Sequence, residues 1–124
     1  MQLDHLILRV NDLNASVDFY TRILGLAHEG QQGPFEVVRV SADFTIQLAP
    51  WGTEGGEHLA FALAAAQFDA VFERLRRAAI PYGDSFHEVG NMKGPGEEAG
   101  ARGMAKSIYF VDPNQHLLEI RCYA

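Results

Sequence analysis

Two histidines and one glutamate are the residues of this chain best suited to chemistry. His5, His58 and Glu119 each lie in a short strand-like run, namely Leu-Asp-His-Leu-Ile-Leu, Glu-His-Leu-Ala-Phe and His-Leu-Leu-Glu-Ile. Two imidazoles and one carboxylate form a ligand set that holds a divalent metal and leaves coordination positions open. These three residues are therefore the candidate ligands of a metal site.

Composition and charge indicate an acidic globular protein. The 124 residues are 48% hydrophobic, and 16 acidic against 10 basic residues give a formal net charge of -6. This balance argues against a nucleic-acid or anionic-membrane partner, which needs a basic patch. No apolar run is long enough to span a bilayer, and no signal peptide is evident. The single cysteine, Cys122, fits a reducing compartment, so we expect a cytoplasmic protein.

The first half of the chain reads as a strand, a helix and three further strands. Alternating apolar residues predict the strands, and a turn with N-cap chemistry precedes the helix. The predicted ranges are a strand at 3–10, a helix at 16–24 and strands at about 26–31, 35–41 and 44–49.

The same order restarts after a Gly-rich linker. A strand at 57–63 precedes a helix whose apolar face carries Phe68, Val71, Phe72, Leu75 and Ala79. Further strands are predicted at about 82–89, 107–111 and 116–123. The β-α-β-β-β order therefore occurs twice, which predicts an α+β fold built from two modules.

Residue offsets support an internal duplication. His58 follows His5 by 53 positions, and Glu119 follows Gln47 by 72 positions. The extra length of the second interval matches the long segment 84–106. Gln47 and Glu119 are therefore predicted to be equivalent positions of the two copies.

The segment 84–106 is rich in glycine and contains Pro95 and two adjacent glutamates. A long connection of this kind is either a functional lid or a disordered surface loop. The sequence leaves these two alternatives open.

Several motifs together resemble one known superfamily. They are Asp4-His5-Leu6, Phe19-Tyr20, Leu24-Gly25-Leu26, His58-Leu59-Ala60-Phe61, Tyr109-Phe110-Val111-Asp112-Pro113 and Leu118-Glu119-Ile120. Nearly the whole chain resembles the glyoxalase/bleomycin-resistance/extradiol-dioxygenase superfamily, the vicinal oxygen chelate (VOC) proteins. The motifs are specific to the superfamily and not to one of its reactions.

The resemblance implies a single VOC domain over residues 1–124, with one module at about 1–50 and a second at about 57–124. In such proteins paired βαβββ modules form curved sheets around a metal. The family's ligands map onto His5, His58 and Glu119, and the metal would be Fe²⁺, Mn²⁺, Zn²⁺ or Ni²⁺. Small members of this length often assemble the site across a homodimer, so the resemblance also implies a second copy as partner.

A fourth family position, a ligand in glyoxalases, maps onto Gln47. An amide oxygen is a weak ligand beside a carboxylate, so we expect Gln47 to hydrogen-bond bound water or substrate instead. A glutamine also cannot abstract a proton, which lowers the weight of a glyoxalase-type reaction. A fosfomycin thiol transferase loses weight as well, because Ile7 stands where that branch has a small hydroxyl residue.

Four further residues are candidates for substrate contact. Tyr109 precedes Glu119 by ten residues, and a tyrosine at this place faces the substrate in several branches of the superfamily. Its hydroxyl could donate to a developing oxyanion, or it could be a core residue with a satisfied hydroxyl. Arg121 could hold a substrate anion or merely screen Glu119. Arg39 is a further option for an anion, and Ser107 could add a hydrogen bond.

The sequence therefore predicts a metal-dependent enzyme, glyoxalase- or dioxygenase-like, that acts on a small molecule with vicinal oxygens. Glu119 and Tyr109 are its candidate catalytic residues. Whether the reaction is that of a lyase, an isomerase or an oxygenase stays open. The alternative is a bleomycin-resistance-type protein that binds a small molecule without catalysis and without a required metal.

One departure from the family pattern concerns backbone geometry. In the turn Asp112-Pro113-Asn114-Gln115, glutamine stands where the family usually has glycine. We expect a positive φ at Gln115, at a cost of about 1 kcal/mol.

Overall fold

A computed structural model describes residues 1–123. The chain divides into two compact units, Met1–Glu54 and Gly55–Ala124. Each unit carries one helix and one four-stranded sheet with parallel and antiparallel pairs. The fold is therefore α+β with two modules of sheet, as the repeated strand–helix pattern predicts. Within residues 1–123, no helix has the length and apolar character that a bilayer crossing requires.

Unit 1 contains a sheet of strand order β1-β4-β3-β2 and one helix. β1 runs parallel to β4, and the remaining pairs are antiparallel. The elements are β1 (His5–Arg9), α1 (Leu13–Arg22), β2 (Ala27–Gln32), β3 (Phe35–Ser41) and β4 (Phe44–Ala49).

Unit 2 repeats this topology with the strand order β5-β8-β7-β6. β5 runs parallel to β8, and the other two pairs are antiparallel. The elements are β5 (His58–Ala62), α2 (Ala65–Arg77), β6 (Gly96–Gly100), β7 (Gly103–Val111) and β8 (Leu117–Cys122).

Local chemistry explains both helices. The Asp12 carboxylate caps α1 by accepting a hydrogen bond from the Ala15 amide at 3.0 Å. Four residues of the predicted apolar face of α2, Phe68, Val71, Phe72 and Leu75, are buried, whereas Ala79 lies beyond the end of the helix and is exposed. Burying one such side chain contributes about 1.5–3 kcal/mol, so these faces hold each helix on its own sheet.

The strand registers confirm the predicted duplication. His5 lies opposite Thr45, two positions before Gln47, in the β1–β4 pair. His58 lies opposite Leu117, two positions before Glu119, in the β5–β8 pair. Because side chains alternate across a strand, each histidine shares a sheet face with its residue of the Gln47/Glu119 pair.

The predicted strand at 82–89 is wrong. Residues 84–95 form turns, and only an isolated bridge joins Gly83 to Tyr109. The second strand of unit 2 is instead β6, which forms a hairpin with β7. The glycines there hid this strand, because strand patterns are recognised by side chains that glycine lacks.

The disorder alternative for segment 84–106 is also wrong. The Asn91 amide donates to the Asp84 carboxylate at 2.8 Å, and the Met92 N–H donates to the Tyr82 carbonyl at 2.7 Å. A Cβ at Gly96 would lie 2.2 Å from the Asp84 carbonyl oxygen. This glycine therefore serves close backbone packing and not flexibility.

Three non-glycine residues, Ala79, Met92 and Gln115, adopt the left-handed conformation that favours glycine. Gln115 has a φ of 69°, which confirms the expected positive φ in the 112–115 turn. Ala79 has a φ of 55° just beyond the end of α2, where the Ile80 N–H returns to the Leu75 carbonyl. Helices commonly end in this way with glycine in that position.

We expect Ala79→Gly and Gln115→Gly each to raise the free energy of unfolding by about 0.5–1 kcal/mol. Relief of left-handed strain exceeds the entropy that glycine adds to the unfolded chain. Urea unfolding followed by circular dichroism measures the change. The control is Ala78→Gly, whose φ of -82° carries no such strain, and it should lower stability. A lower urea midpoint for Ala79→Gly would contradict this account.

Candidate functional site

Five of the predicted site residues meet on one face of the unit 2 sheet. The antiparallel pairing of β7 and β8 places Tyr109 opposite Glu119 and Ser107 opposite Arg121. His58 joins them from the neighbouring strand β5. The face thus gathers an imidazole, a carboxylate, a phenol, a guanidinium and a hydroxyl. A cavity with a volume of about 370 Å³ lies on this face and is lined by three of these five residues, His58, Glu119 and Arg121.

The two candidate metal ligands of unit 2 are adjacent. His58 Nε2 lies 3.2 Å from Glu119 Oε1, with Glu119 only 3% exposed and the His58 side chain about half exposed. Ligand atoms bound at 2.0–2.2 Å to one metal lie roughly 3.0–3.4 Å apart at tetrahedral or octahedral angles. The pair therefore fits two neighbouring coordination positions of a divalent metal.

Arg121 is buried against this carboxylate and has a partner for every donor. Its guanidinium forms an ion pair with Glu119 Oε2 and a longer contact with the Ser107 hydroxyl. The remaining N–H groups donate to the Tyr123 hydroxyl at 3.2 Å, the Glu98 carbonyl at 3.0 Å and the Gly103 carbonyl at 3.3 Å. A guanidinium has five donors, so none remains for a ligand. This geometry supports the screening alternative for Arg121.

Gly100 makes room for this arginine and went unnoticed in the sequence. A Cβ at Gly100 would lie 2.3 Å from Arg121 Nη2. Any larger residue in place of Gly100 would therefore push the guanidinium away from Glu119. The available signal was the glycine spacing of segment 84–106. This spacing indicated a loop, and the strand whose backbone closely approaches the Arg121 side chain was therefore missed.

Tyr109 is held as a neutral hydrogen-bond donor. Burial, followed by the negative charges of Glu119 and Glu98 and a hydrogen bond to Glu119, raises the pKa of Tyr109 to about 12. Loss of its proton would place a phenolate beside a carboxylate in a poorly hydrated site. The hydroxyl therefore stays protonated at neutral pH and can donate.

The remaining predicted site residues, His5, Gln47 and Arg39, line one cavity of unit 1 with a volume of about 500 Å³. His5 Nδ1 lies 2.7 Å from the Asp4 carboxylate. A carboxylate on one ring nitrogen directs the lone pair of the neutral imidazole to the other, which suits His5 Nε2 to metal binding.

Gln47 and Arg39 both have partners inside unit 1. The Gln47 amide donates to the Gln32 side chain at 3.1 Å. Arg39 forms a two-point ion pair with Glu29 at 2.6 and 3.1 Å and also donates to the Ser41 and Ala42 carbonyls. The hydrogen bond from Arg39 is the main cause that lowers the pKa of Glu29.

The structure brings two of the three predicted ligands together and places the third in the other unit. His58 and Glu119 belong to unit 2, and His5 belongs to unit 1. Within residues 1–123, no three His, Cys, Asp or Glu side chains form a cluster that could hold a metal. His116, a further histidine of unit 2, is buried and accepts a hydrogen bond from the Glu57 amide at 3.2 Å.

We expect Arg121→Met to lower the free energy of unfolding by about 3–5 kcal/mol, because it leaves the buried Glu119 carboxylate unpaired. The double variant Glu119→Met/Arg121→Met should lose less than Arg121→Met alone. Urea denaturation of the wild type and these two variants measures the differences in stability. Arg77→Met, which breaks an exposed pair with Glu73, is the control and should change stability by less than about 1 kcal/mol. Equal losses of stability in Arg121→Met and Arg77→Met would refute the buried pair.

We expect the Tyr109 phenol of chelator-treated protein to ionise near pH 12 instead of near its ordinary value of 10.0. Since the pKa is raised in the folded state, the stability it contributes is present below pH 10 and lost as the pH rises towards 12. The difference in ultraviolet absorbance titration between wild type and Tyr109→Phe isolates this group, with circular dichroism reporting the folded range. A difference signal centred at pH 10 in folded protein would contradict the assignment.

Comparisons with known proteins agree with this fold. Residues 2–120 match the Glyoxalase/Bleomycin resistance protein/Dioxygenase superfamily. Glutathione transferase FosA of Serratia marcescens is 30% identical over 125 residues, which cover 95% of this chain and 78% of that protein. Virulence protein STM3117 of Salmonella typhimurium is 28% identical and aligns over 98% of this chain and 84% of its own length. The solved structure of oxidase ChaP-H1 superposes with a TM-score of 0.83 at 28% identity, covering 100% of this chain and 97% of that one. The chain therefore belongs to the Glyoxalase/Bleomycin resistance protein/Dioxygenase superfamily.

Proposed function

We propose that this protein is a metal-dependent enzyme that acts on a small molecule with neighbouring oxygens. The observation that carries the proposal is the 3.2 Å approach of His58 Nε2 to Glu119 Oε1 in an open cavity. The third ligand in this proposal is His5, supplied by unit 1 of the same chain or of a second copy. Two imidazoles and a carboxylate suit Fe²⁺, Mn²⁺, Zn²⁺ or Ni²⁺.

Arg121 determines how Glu119 would bind the metal. The guanidinium occupies Oε2 on the side away from His58, so only Oε1 faces the imidazole. Glu119 would therefore bind through one oxygen. It would also be a weaker donor than an unpaired carboxylate, because the arginine withdraws part of its charge.

The chain's own residues would bind and orient the substrate. A bound divalent metal supplies Lewis-acid stabilisation of negative charge on two neighbouring substrate oxygens. Tyr109 keeps its proton, and its single O–H, which is hydrogen-bonded to Glu119, would turn to a substrate oxygen to help orient it. Ala60 and Ala62 line the cavity beside His58, and their small side chains leave space for the substrate.

Gln47 supports the exclusion of one reaction branch from this proposal. It occupies the place in unit 1 that Glu119 occupies in unit 2, but its neutral amide donates to Gln32. An amide cannot act as a base at neutral pH. A mechanism that needs a carboxylate at this position to abstract a proton is therefore disfavoured.

One observation favours the second candidate function, ligand binding without a metal. Both carboxylate oxygens of Glu119 already have partners, His58 on one and Arg121 on the other. The buried charge is thus compensated without a metal cation. A protein that binds its ligand without a metal would also require this compensation. Metal content distinguishes the two functions.

We expect protein purified without a metal-chelating column to contain stoichiometric divalent metal by mass spectrometry. His58→Ala and Glu119→Gln should lose it, because each removes one of three ligands. Asp4→Asn should weaken metal affinity by about 10–100-fold through loss of the carboxylate that orients His5. His28→Ala is the matched control, since this exposed histidine pairs with Glu36 and is no proposed ligand.

Turnover assays with catechols, with methylglyoxal plus a thiol and with fosfomycin plus a thiol would then separate the reaction branches. Equal metal content in wild type and His58→Ala would refute the metal site. Absence of metal in both, together with small-molecule binding, would establish the binding function instead.

A further inference from the structure

We propose that Arg102 binds an anionic group of the substrate, so that the substrate is a small molecule carrying both neighbouring oxygens and a carboxylate or phosphoryl group. The inference rests on the proposed function for the position of the reacting oxygens. It names a residue and a substrate class that the motifs of the sequence do not indicate.

Arg102 lines the same cavity as His58 and Glu119. It lies in the two-residue connection between Gly100 and Gly103, which pair as the last residues of the β6–β7 hairpin. A tight hairpin turn fixes the direction in which its residues project. Arg102 is therefore presented at the rim of this cavity by a short, hydrogen-bonded turn.

Tyr123 holds the Arg102 side chain in place. The guanidinium carbon lies 4.3 Å from the centre of the Tyr123 ring, and the backbone N–H of Arg102 donates to the Tyr123 hydroxyl at 3.3 Å. The same hydroxyl accepts from Arg121, which ties the turn to the buried ion pair. The guanidinium also hydrogen-bonds the Tyr123 hydroxyl, and stacking on the ring restricts it without using its other in-plane donors, so Arg102 is preorganised to bind an oxyanion.

Arg102 also differs from the two arginines that the sequence singled out. Arg39 forms a two-point ion pair with Glu29, and Arg121 has a partner for every donor. Within residues 1–123, the guanidinium of Arg102 forms no salt bridge, and its recorded contacts are with Tyr123. It is therefore the arginine of these cavities with donors available for a ligand.

The charge of the cavity favours an anion once a metal is bound. Glu98 and Glu119 carry two negative charges near Tyr109, and Arg102 and Arg121 carry two positive charges. A divalent metal would leave an excess of positive charge that an anionic substrate compensates. The cavity of about 370 Å³ suits a small molecule.

The test compares two ligands of the same shape and different charge, 3,4-dihydroxybenzoate and its neutral amide, together with inorganic phosphate. Titration calorimetry of metal-loaded and chelator-treated protein measures the affinities. We expect wild type to bind the carboxylate roughly tenfold more tightly than the amide, as for one charge-assisted contact. Arg102→Gln should abolish this preference, and Arg102→Lys should retain part of it.

Arg77→Gln is the control, because this exposed arginine of α2 lies outside the cavity and should keep the preference. Equal affinity for acid and amide in wild type, a preference that survives Arg102→Gln, or no saturable binding of any of the three probes would overturn the proposal. A preference that persists without metal but depends on Arg102 would support the anion site even if the metal proposal fails. If His58→Ala loses its metal and the wild type shows no preference for the acid over the amide, the metal proposal stands and the anion site is overturned.

Discussion

The buried ion pair between Glu119 and Arg121 is the interaction on which the unit 2 site depends. Both side chains are almost completely enclosed, and removal of a charge partner in such surroundings costs several kcal/mol. The pair explains why Glu119 offers one oxygen to His58, and the charge of Glu119 adds to burial in raising the pKa of Tyr109. A charged cluster of this kind stabilises little by itself, but it orients every polar group on the face.

The glycine-rich part of unit 2 exists largely to accommodate that pair. β6 supplies the Glu98 carbonyl as an acceptor for Arg121, and Gly100 leaves the space that the guanidinium fills. The chain reaches β6 through a segment packed closely on itself, where Gly96 lies against the backbone of Asp84. The absence of a Cβ is thus used for close approach, and the loop-like composition conceals a structural strand.

The two units show how one scaffold carries two different chemistries. Their strand orders and registers correspond, which places Gln47 and Glu119 at the same structural position. The neutral amide in unit 1 pairs with another amide, whereas the carboxylate in unit 2 recruits an arginine, a tyrosine and a histidine. The difference between an amide and a carboxylate at this position therefore decides which polar groups each sheet face gathers.

The sequence by itself determined the repeated β-α-β-β-β order and the equivalence of Gln47 and Glu119, because these follow from local periodicity and residue spacing, whereas the resemblance to the superfamily implied that His58 and Glu119 belong to one site. Periodicity failed at 82–89 and at β6, where turns and glycines carry no alternating side chains. Only the tertiary structure decided that Arg121 is consumed by Glu119, that Gly100 makes this contact possible and that Arg102 is left available. The physical reason is that hydrogen-bond partners of a long side chain come from several strands, and no single segment of sequence records which of them lie within reach.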